Sequence, residues 1–284
     1  MSPADKPDLF GAVCRVQSIA KQDGDYPSAN QDFAHPDLLA LSDGAGGTGF
    51  YAADWAKNLC EELPTAPFAD EAAFDEWFKQ IRNPFFAGKR EEAAANFPDI
   101  LEDYDREGSS ATLLAAWPGE DRQWRVLSYG DSAAFLFDAA GKLKQRSIPK
   151  LVQFTEDPYL LHSNEPLLPE HLYWETWTID QNDTLLMASD ALSQWILIQY
   201  ALHNPELASE LEEVLKTPYG LGNQIIRCQQ DHINSPDFLP ILRQLAEAGE
   251  DESSFQDFTR NLFQKGQLAL DDYTLRLCSP ITIS

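Results

Sequence analysis

Short apolar runs of strand length, set off by turn residues, alternate along this chain with blocks whose apolar positions recur every three to four residues. The run "LFGAVCRVQSIA" (residues 9–20) is rich in β-branched and apolar residues and reads as a strand. "KQDGDYPSANQ" (21–31) is turn chemistry throughout, and "LLALS" (38–42) is a second apolar run. Behind it, "YAADWAKNLCEEL" spaces Tyr51, Trp55, Leu59 and Leu63 four apart, one face of an amphipathic helix that Pro64 and Pro67 end. Two further helical patterns follow, at 70–81 with Asp70 as N-cap and at 89–97.

Strand patterns come next at 110–117, 123–129 and 133–139, with Pro118-Gly119 and Gly130-Asp131 between them. Their close succession predicts antiparallel hairpins. Residues 146–174 lack periodicity and hold several prolines, which predicts a surface flap of the kind that often carries function. "ETWTID" and "DTLLMAS" predict another hairpin, turning at Gln181-Asn182-Asp183. A helical stretch with breaks fills about 192–266, and "YTLRLCS" (273–279) is a last strand. Helices in two blocks among many antiparallel strands predict an α+β domain over 9–284, with helices outside packed sheets.

Charge narrows the class. The formal net charge is −25, which repels nucleic acid and anionic lipid. No apolar run reaches the ~18 residues of a membrane span, and "MSPADKPDLF" lacks the basic and apolar regions of a secretion signal. A cytoplasmic protein is expected. Cys14, Cys60, Cys228 and Cys278 are scattered without metal spacing and read as reduced structural thiols.

The chemistry lies in the aspartates. Asp32 precedes the "LLALS" run and Asp43 ends it. Asp131 follows "VLSYG", Asp190 follows "LLMAS", and Asp271 with Asp272 precedes "YTLRL". Any one of these is an ordinary turn residue. Together they place carboxylates at the ends of strands that an antiparallel sheet can bring to one edge. Clustered carboxylates become tolerable around a divalent cation, and hard oxygen ligands suit Mg²⁺ or Mn²⁺. Two such ions about 3.5–4 Å apart activate a bridging water for in-line attack on a phosphate ester. In "SDGAGG", Gly44 would offer its carbonyl, while Gly46 and Gly47 would let the backbone turn tightly into the next helix.

In order along residues 11–278, "NQD" (30–32), "SDGAGG" (42–47), "GSSAT" (108–112), "YGDSAAFLF" (129–137), "ASDAL" (188–192) and "DDYTL" (271–275) resemble the motifs of the PPM-type, or type 2C, metal-dependent Ser/Thr protein phosphatases, in a divergent microbial branch. The resemblance implies a central sandwich of two antiparallel sheets with helices on both outer faces. It implies two Mn²⁺ or Mg²⁺ ions held by Asp43, the Gly44 carbonyl, Asp190 and Asp271, with Asp32 orienting or binding through water. Asp131 matches the position that supports a third, weaker ion in microbial members. A phosphorylated protein substrate and a partner Ser/Thr kinase are implied as well. The pattern departs from the family at four places. Pro27 and Ala133 replace arginines, the former the residue that grips substrate phosphate; Ala191 replaces a glycine and Ala45 a histidine. Lys21, Arg15 and Arg146 are the candidate substitutes for the grip. The missing arginines also motivate a second reading, a pseudophosphatase that binds a phosphoprotein without turnover.

Other motifs carry less. "DGAGGTG" lacks the lysine of a nucleotide loop. The five histidines are isolated; His162, in the flap, is the one placed to approach a substrate. No Ser-His-Asp arrangement is marked. Trp55, Trp77 and Trp195 sit at core-like helical spacing.

Overall fold

In the computed structural model, residues 12–23, 26–27, 29–47, 49–216, 221–230 and 237–280 are described. The predicted strand residues 9–11, and 217–220 and 231–236 of the helical stretch, lie outside them. Strand residues that alternate between two buried environments explain the continuous apolar runs. Leu39 and Leu41 face one core while Ala40 faces another; Leu114 and Ala116 oppose Leu113, Ala115 and Trp117; Ala134 and Leu136 oppose Phe135 and Phe137. A strand that is apolar on both faces is covered on both faces.

The coverings form four layers. One sheet takes β1 (Ala12–Ile19), β6 (Ala133–Phe137), β7 (Leu143–Arg146), β9 (Thr184–Ala188) and β10 (Tyr273–Pro280), in the order β1-β10-β9-β6-β7. The other takes β2 (Phe33–Ala34), β3 (Leu39–Ser42), β4 (Leu113–Pro118), β5 (Gln123–Tyr129) and β8 (Tyr173–Thr178), in the order β8-β5-β4-β3-β2. All pairings within the two sheets are antiparallel. Leu41, Leu114, Trp124, Leu136, Trp177, Leu185 and Met187 fill the space between the sheets. Helices α1 (Ala52–Glu61) and α2 (Glu71–Asn96) cover the second sheet, and α3 (Leu101–Glu107) follows them. Helices α4 (Asp190–His203), α5 (Ala208–Lys216), α6 (Leu221–Gln230), α7 (Leu239–Ala248) and α8 (Glu252–Gln264) cover the first. The expected α+β sandwich with helices on both outer faces is therefore the fold.

Four expectations change. The helices expected at 70–81 and 89–97 are one, α2, which runs through Pro84. Its N-terminus is capped by Asp70, whose side chain accepts the Ala73 N–H, and its apolar face is buried at Phe74, Phe78 and Ala93 and partly buried at Ile81 and Phe85 on either side of the proline. Burial outweighs one lost backbone bond. β5 and β6 are not a hairpin, nor are β8 and β9. In each case the chain leaves one sheet and enters the other. Gly130, at φ +102°, makes the first crossing in a backbone conformation that side chains rarely adopt. Cys14 and Cys278 are a disulfide rather than free thiols. They stand opposite each other on β1 and β10 with Cα atoms 4.1 Å apart, a pairing that a sequence separation of 264 hides. Cys60 and Cys228 take no part in a disulfide among the described residues.

Two polar contacts lock the layers. Trp55, fully buried on α1, packs against Phe78 and Phe85, and its Nε1–H donates to the Leu161 carbonyl (2.7 Å). That carbonyl belongs to the flap, where Leu161 and His162 pair with Ala111 and Ser110. Arg276 of β10 lies in the inter-sheet space, 4 % exposed, and donates to the carbonyls of His35 and Leu38 across the sandwich. Burial lowers its pKa to about 10, so the guanidinium keeps its charge at neutral pH. Among the described residues no helix is long and apolar enough to cross a membrane.

Candidate metal centre

Strand ends from both sheets meet at one edge of the sandwich. Asp32 and Asp43 come from the sheet holding β2 and β3. Asp190 and Asp271 come from the sheet holding β9 and β10, and Asp131 sits at the crossing between the two. The carboxylates act on one another electrostatically: Asp43 with Asp32, Asp131 and Asp271, and Asp190 with Asp43, Asp131 and Asp271. The five aspartates expected to bind metal thus feel one another's charge. The sixth expected ligand, Gly44, follows Asp43 directly.

Small polar side chains fix this edge. Thr112 hydrogen-bonds through its hydroxyl to the Asp43 N–H (3.0 Å) and to Ser132 Oγ (2.8 Å), while its own N–H donates to the Asp43 carbonyl (2.8 Å). The "GSSAT" segment so joins Asp43 to the loop of Asp131. Ser42 donates to the Thr112 carbonyl, Ser128 to the Ser132 carbonyl, and Ser189 accepts from the Thr274 N–H. Asp190 opens α4, and its Oδ1 accepts the Ala191 N–H. At Gly44 a Cβ would lie 2.7 Å from the Gln31 carbonyl oxygen and 2.8 Å from Ala52 backbone atoms, so only glycine fits. Its carbonyl accepts the Gly46 N–H (3.0 Å) and keeps one lone pair. A Cβ at Gly46 would meet only the movable end of the Gln31 side chain, and at Gly47 nothing lies within 4 Å, so the tight turn requires glycine at 44 rather than at 46 or 47.

Asp272 organises the site without having been singled out. Its two carboxylate oxygens accept the N–H groups of Lys21 and Gln31, each at 2.7 Å, and hold the segment that delivers Asp32. The Asn30 side chain completes this, accepting the Asp32 N–H and donating to Ser18. The doubled acid of "DDYTL" was the available signal.

Burial dominates the electrostatics. It pushes Asp32 up to about 7, with the charges of Asp190 and Asp272 adding to it. It pushes Asp131 up to about 6, and raises Asp43 and Asp190 well above the usual carboxylate range. Asp271 is raised by burial and partly restored by the Asp272 N–H and the Lys21 charge. Both Asp32 oxygens are buried without a hydrogen-bond partner; Thr274 and Asp43 lie beside them, and the Thr274 hydroxyl is 2.7 Å from the Ser18 hydroxyl. As the side chains stand, no three acidic, histidine or cysteine groups among the described residues are gathered tightly enough to enclose an ion. The donor chemistry nevertheless fits a hard divalent cation: buried, mutually repelling carboxylates, donorless oxygens and one spare carbonyl lone pair.

Of the cations considered as phosphate grips, Arg146 is held by Glu210 and the Pro149 carbonyl, and Arg15 by Glu250 and the Ala246 carbonyl. Lys21 is the one whose charge acts on the cluster, at Asp271. His162 bonds Ser110 through Nδ1 (2.8 Å), and burial lowers its pKa.

These shifts predict how metal and protons compete. Each raised carboxyl binds its proton more readily in the folded chain than in the unfolded one. Folded-state stability from these groups is therefore full below about pH 4 and falls as pH rises toward about 7, where they must ionise. A bound cation would remove that penalty. The gain in Tm from millimolar Mn²⁺ is expected to be larger at about pH 7.5 than at about pH 5.5. General self-repulsion at net charge −25 acts in the same direction on the metal-free protein, so the diagnostic quantity is the gain itself. A gain that is equal or larger at the lower pH would rule out metal binding by these carboxylates.

No protein-family model matches the chain, and no curated protein matches it. Solved structures do. The catalytic domain of the serine threonine protein phosphatase PstP, in complex with two manganese ions, is 18 % identical over 94 % of this chain and 97 % of its own, with a TM-score of 0.52. PppA of Pseudomonas aeruginosa is 16 % identical over 94 % of this chain and 97 % of its own (TM-score 0.47). Stp1 of Staphylococcus aureus is 14 % identical over 94 % of each chain (TM-score 0.46). The chain has the fold of the PPM-type Ser/Thr phosphatases.

Proposed function

We propose that this protein is a metal-dependent phosphatase that hydrolyses phosphoserine or phosphothreonine on proteins, working in the cytoplasm opposite a Ser/Thr kinase. The observation that carries the reading is the set of buried aspartates, delivered from two sheets to one edge, with donorless oxygens on Asp32. PstP, of the same fold, holds two manganese ions in its structure, which supports Mn²⁺ or Mg²⁺ here. Asp43, the Gly44 carbonyl, Asp190 and Asp271 would hold two ions, with Asp32 beside them and Asp131 at a third position. Bound there, the ions would supply Lewis-acid charge for the phosphate oxygens and acidify a water. The chain's own part is to fix the donors: Asp272 ties down the Asp32 segment, and Thr112 fixes Asp43 to the Asp131 loop. Water attacks phosphorus, the ester bond to the serine or threonine oxygen breaks, and that oxygen leaves with a proton.

The test is phosphate release from p-nitrophenyl phosphate and from a phosphothreonine peptide by chelator-treated protein, titrated with Mn²⁺. Saturable activation is the expected result. The engagement of Arg15 and Arg146 away from the site favours a second reading, phosphoprotein binding without turnover. Calorimetric Mn²⁺ binding with no phosphate release from either compound would select it.

A further inference from the structure

A cavity of about 270 Å³ opens beside the carboxylate edge, sharing Gly130 and Asp131 with it and walled on the flap side by residues 147–149, 153, 156–159 and 170–173. It is smaller than the ≈ 300–1,000 Å³ that drug-sized ligands occupy, so it suits a side chain or two of an extended substrate rather than a cofactor. Glu156, Asp157 and Glu170 line it together with Asp131, and no lysine or arginine is among its lining residues. None of these three flap side chains, Glu156, Asp157 and Glu170, joins an ion pair among the described residues. Arg146, the nearest flap arginine in sequence, is spent on Glu210. An aromatic slab stands in the same wall: the rings of Tyr159 and His171 stack with centroids 3.3 Å apart and planes 10° from parallel, and Tyr159 is 53 % exposed. Unpaired carboxylates accept guanidinium hydrogen bonds in pairs, and a flat exposed ring presents the face on which a guanidinium stacks. The two features are independent, and both select a cation.

We infer that this flap cavity receives an arginine-bearing segment of the substrate, so that the preferred phosphoproteins carry basic residues beside the phosphorylated serine or threonine. The inference rests on the phosphatase reading above and names its substrate class. It also assigns the flap a role: Glu156, Asp157 and Glu170 position the peptide while the aspartate edge receives the phosphate.

The experiment compares two phosphothreonine peptides that differ only in flanking residues, arginine in one and its neutral isostere citrulline in the other, with the full chain and Mn²⁺. All three carboxylates are exposed. Ion pairs to such groups are worth up to about fivefold each, or about 1 kcal/mol, which predicts a kcat/KM ratio of about tenfold in favour of arginine at low salt. The triple variant Glu156→Gln/Asp157→Asn/Glu170→Gln should bring that ratio to within about twofold of unity, chiefly through KM. A charge-matched control, Glu91→Gln/Glu212→Gln/Glu247→Gln on α2, α5 and α7, should leave the ratio unchanged, separating the cavity from the general pull of an acidic surface. A wild-type ratio near unity, or a ratio that survives the triple variant, overturns the inference. So does a triple variant that keeps its ratio but needs more Mn²⁺, since the cavity would then be an ion site. If neither peptide nor p-nitrophenyl phosphate is hydrolysed, the phosphatase reading has failed. Fluorescence anisotropy with the same two peptides then reads the arginine preference on binding alone.

Discussion

Asp43→Asn and Asp190→Asn will each lower Mn²⁺-dependent hydrolysis of p-nitrophenyl phosphate by at least about a thousandfold. The change is nearly isosteric, so packing is kept while the negative donor becomes a neutral amide. The neighbours are largely indifferent to it, because the Thr112 contacts to Asp43 run through the backbone. The same substitutions carry a second expected sign. Burial and the surrounding carboxylates make ionised Asp43 and Asp190 costly in the metal-free fold. An amide relieves that cost, so both variants should melt higher than wild type without metal at neutral pH, and should gain less from Mn²⁺. Activity lost together with apo stability gained is the pattern of residues kept for chemistry at the expense of the fold. If both variants turned over at wild-type rates, the metal-centred reading would be wrong.

Trp55→Ala will destabilise the chain by about 4–5 kcal/mol, read as a shift in urea midpoint. The indole is fully buried between Phe78 and Phe85, and deleting it leaves a cavity that this packed layer fills only in part. Part of the loss, about 1–2 kcal/mol, comes from the Leu161 carbonyl that the missing N–H leaves stranded. Trp55→Phe keeps most of the packing and should cost only about 1–2 kcal/mol, the share of the hydrogen bond and the smaller ring. Typical domains have a total stability of about 5–15 kcal/mol, so the alanine variant approaches the threshold of folding while the phenylalanine variant remains folded. Equal losses in the two would show that the indole N–H, and not the ring, supports the flap.

The layers and the site were legible to different degrees. Doubly covered strands leave long apolar runs, and these are plain in "LLALS", "SATLLAAW" and "AAFLFDA". The aspartates were legible because each sits at the end of such a run. Which strand pairs with which was not. Gly130-Asp131 and Gln181-Asn182-Asp183 have the composition of hairpin turns, yet the chain changes sheets at both. Turn chemistry reports local backbone conformation and says nothing about which partner waits beyond it. The Cys14–Cys278 bond and the reach of Arg276 to His35 and Leu38 escaped for the same reason. Pro84 misled in the other direction: the local cost of a proline was visible, while the burial that outweighs it along Phe74, Phe78 and Ala93 was tertiary. Asp272 looked like a duplicate of its neighbour until its carboxylate was seen to bridge two separate backbone segments.

If the aspartates hold metal as proposed, drawing them from both sheets makes the sandwich a calliper. Asp32 and Asp43 ride on one jaw, Asp190 and Asp271 on the other, and the spacing between them is the opening of the jaws. Inter-sheet side chains such as Leu41, Leu136 and Met187 set that opening from within the core. Mg²⁺ demands near-ideal octahedral bonds of about 2.0–2.1 Å. On the proposed metal-binding reading, changing the bulk of Met187 would shift which ion fits best, although that side chain lies in the inter-sheet core and not among the aspartates.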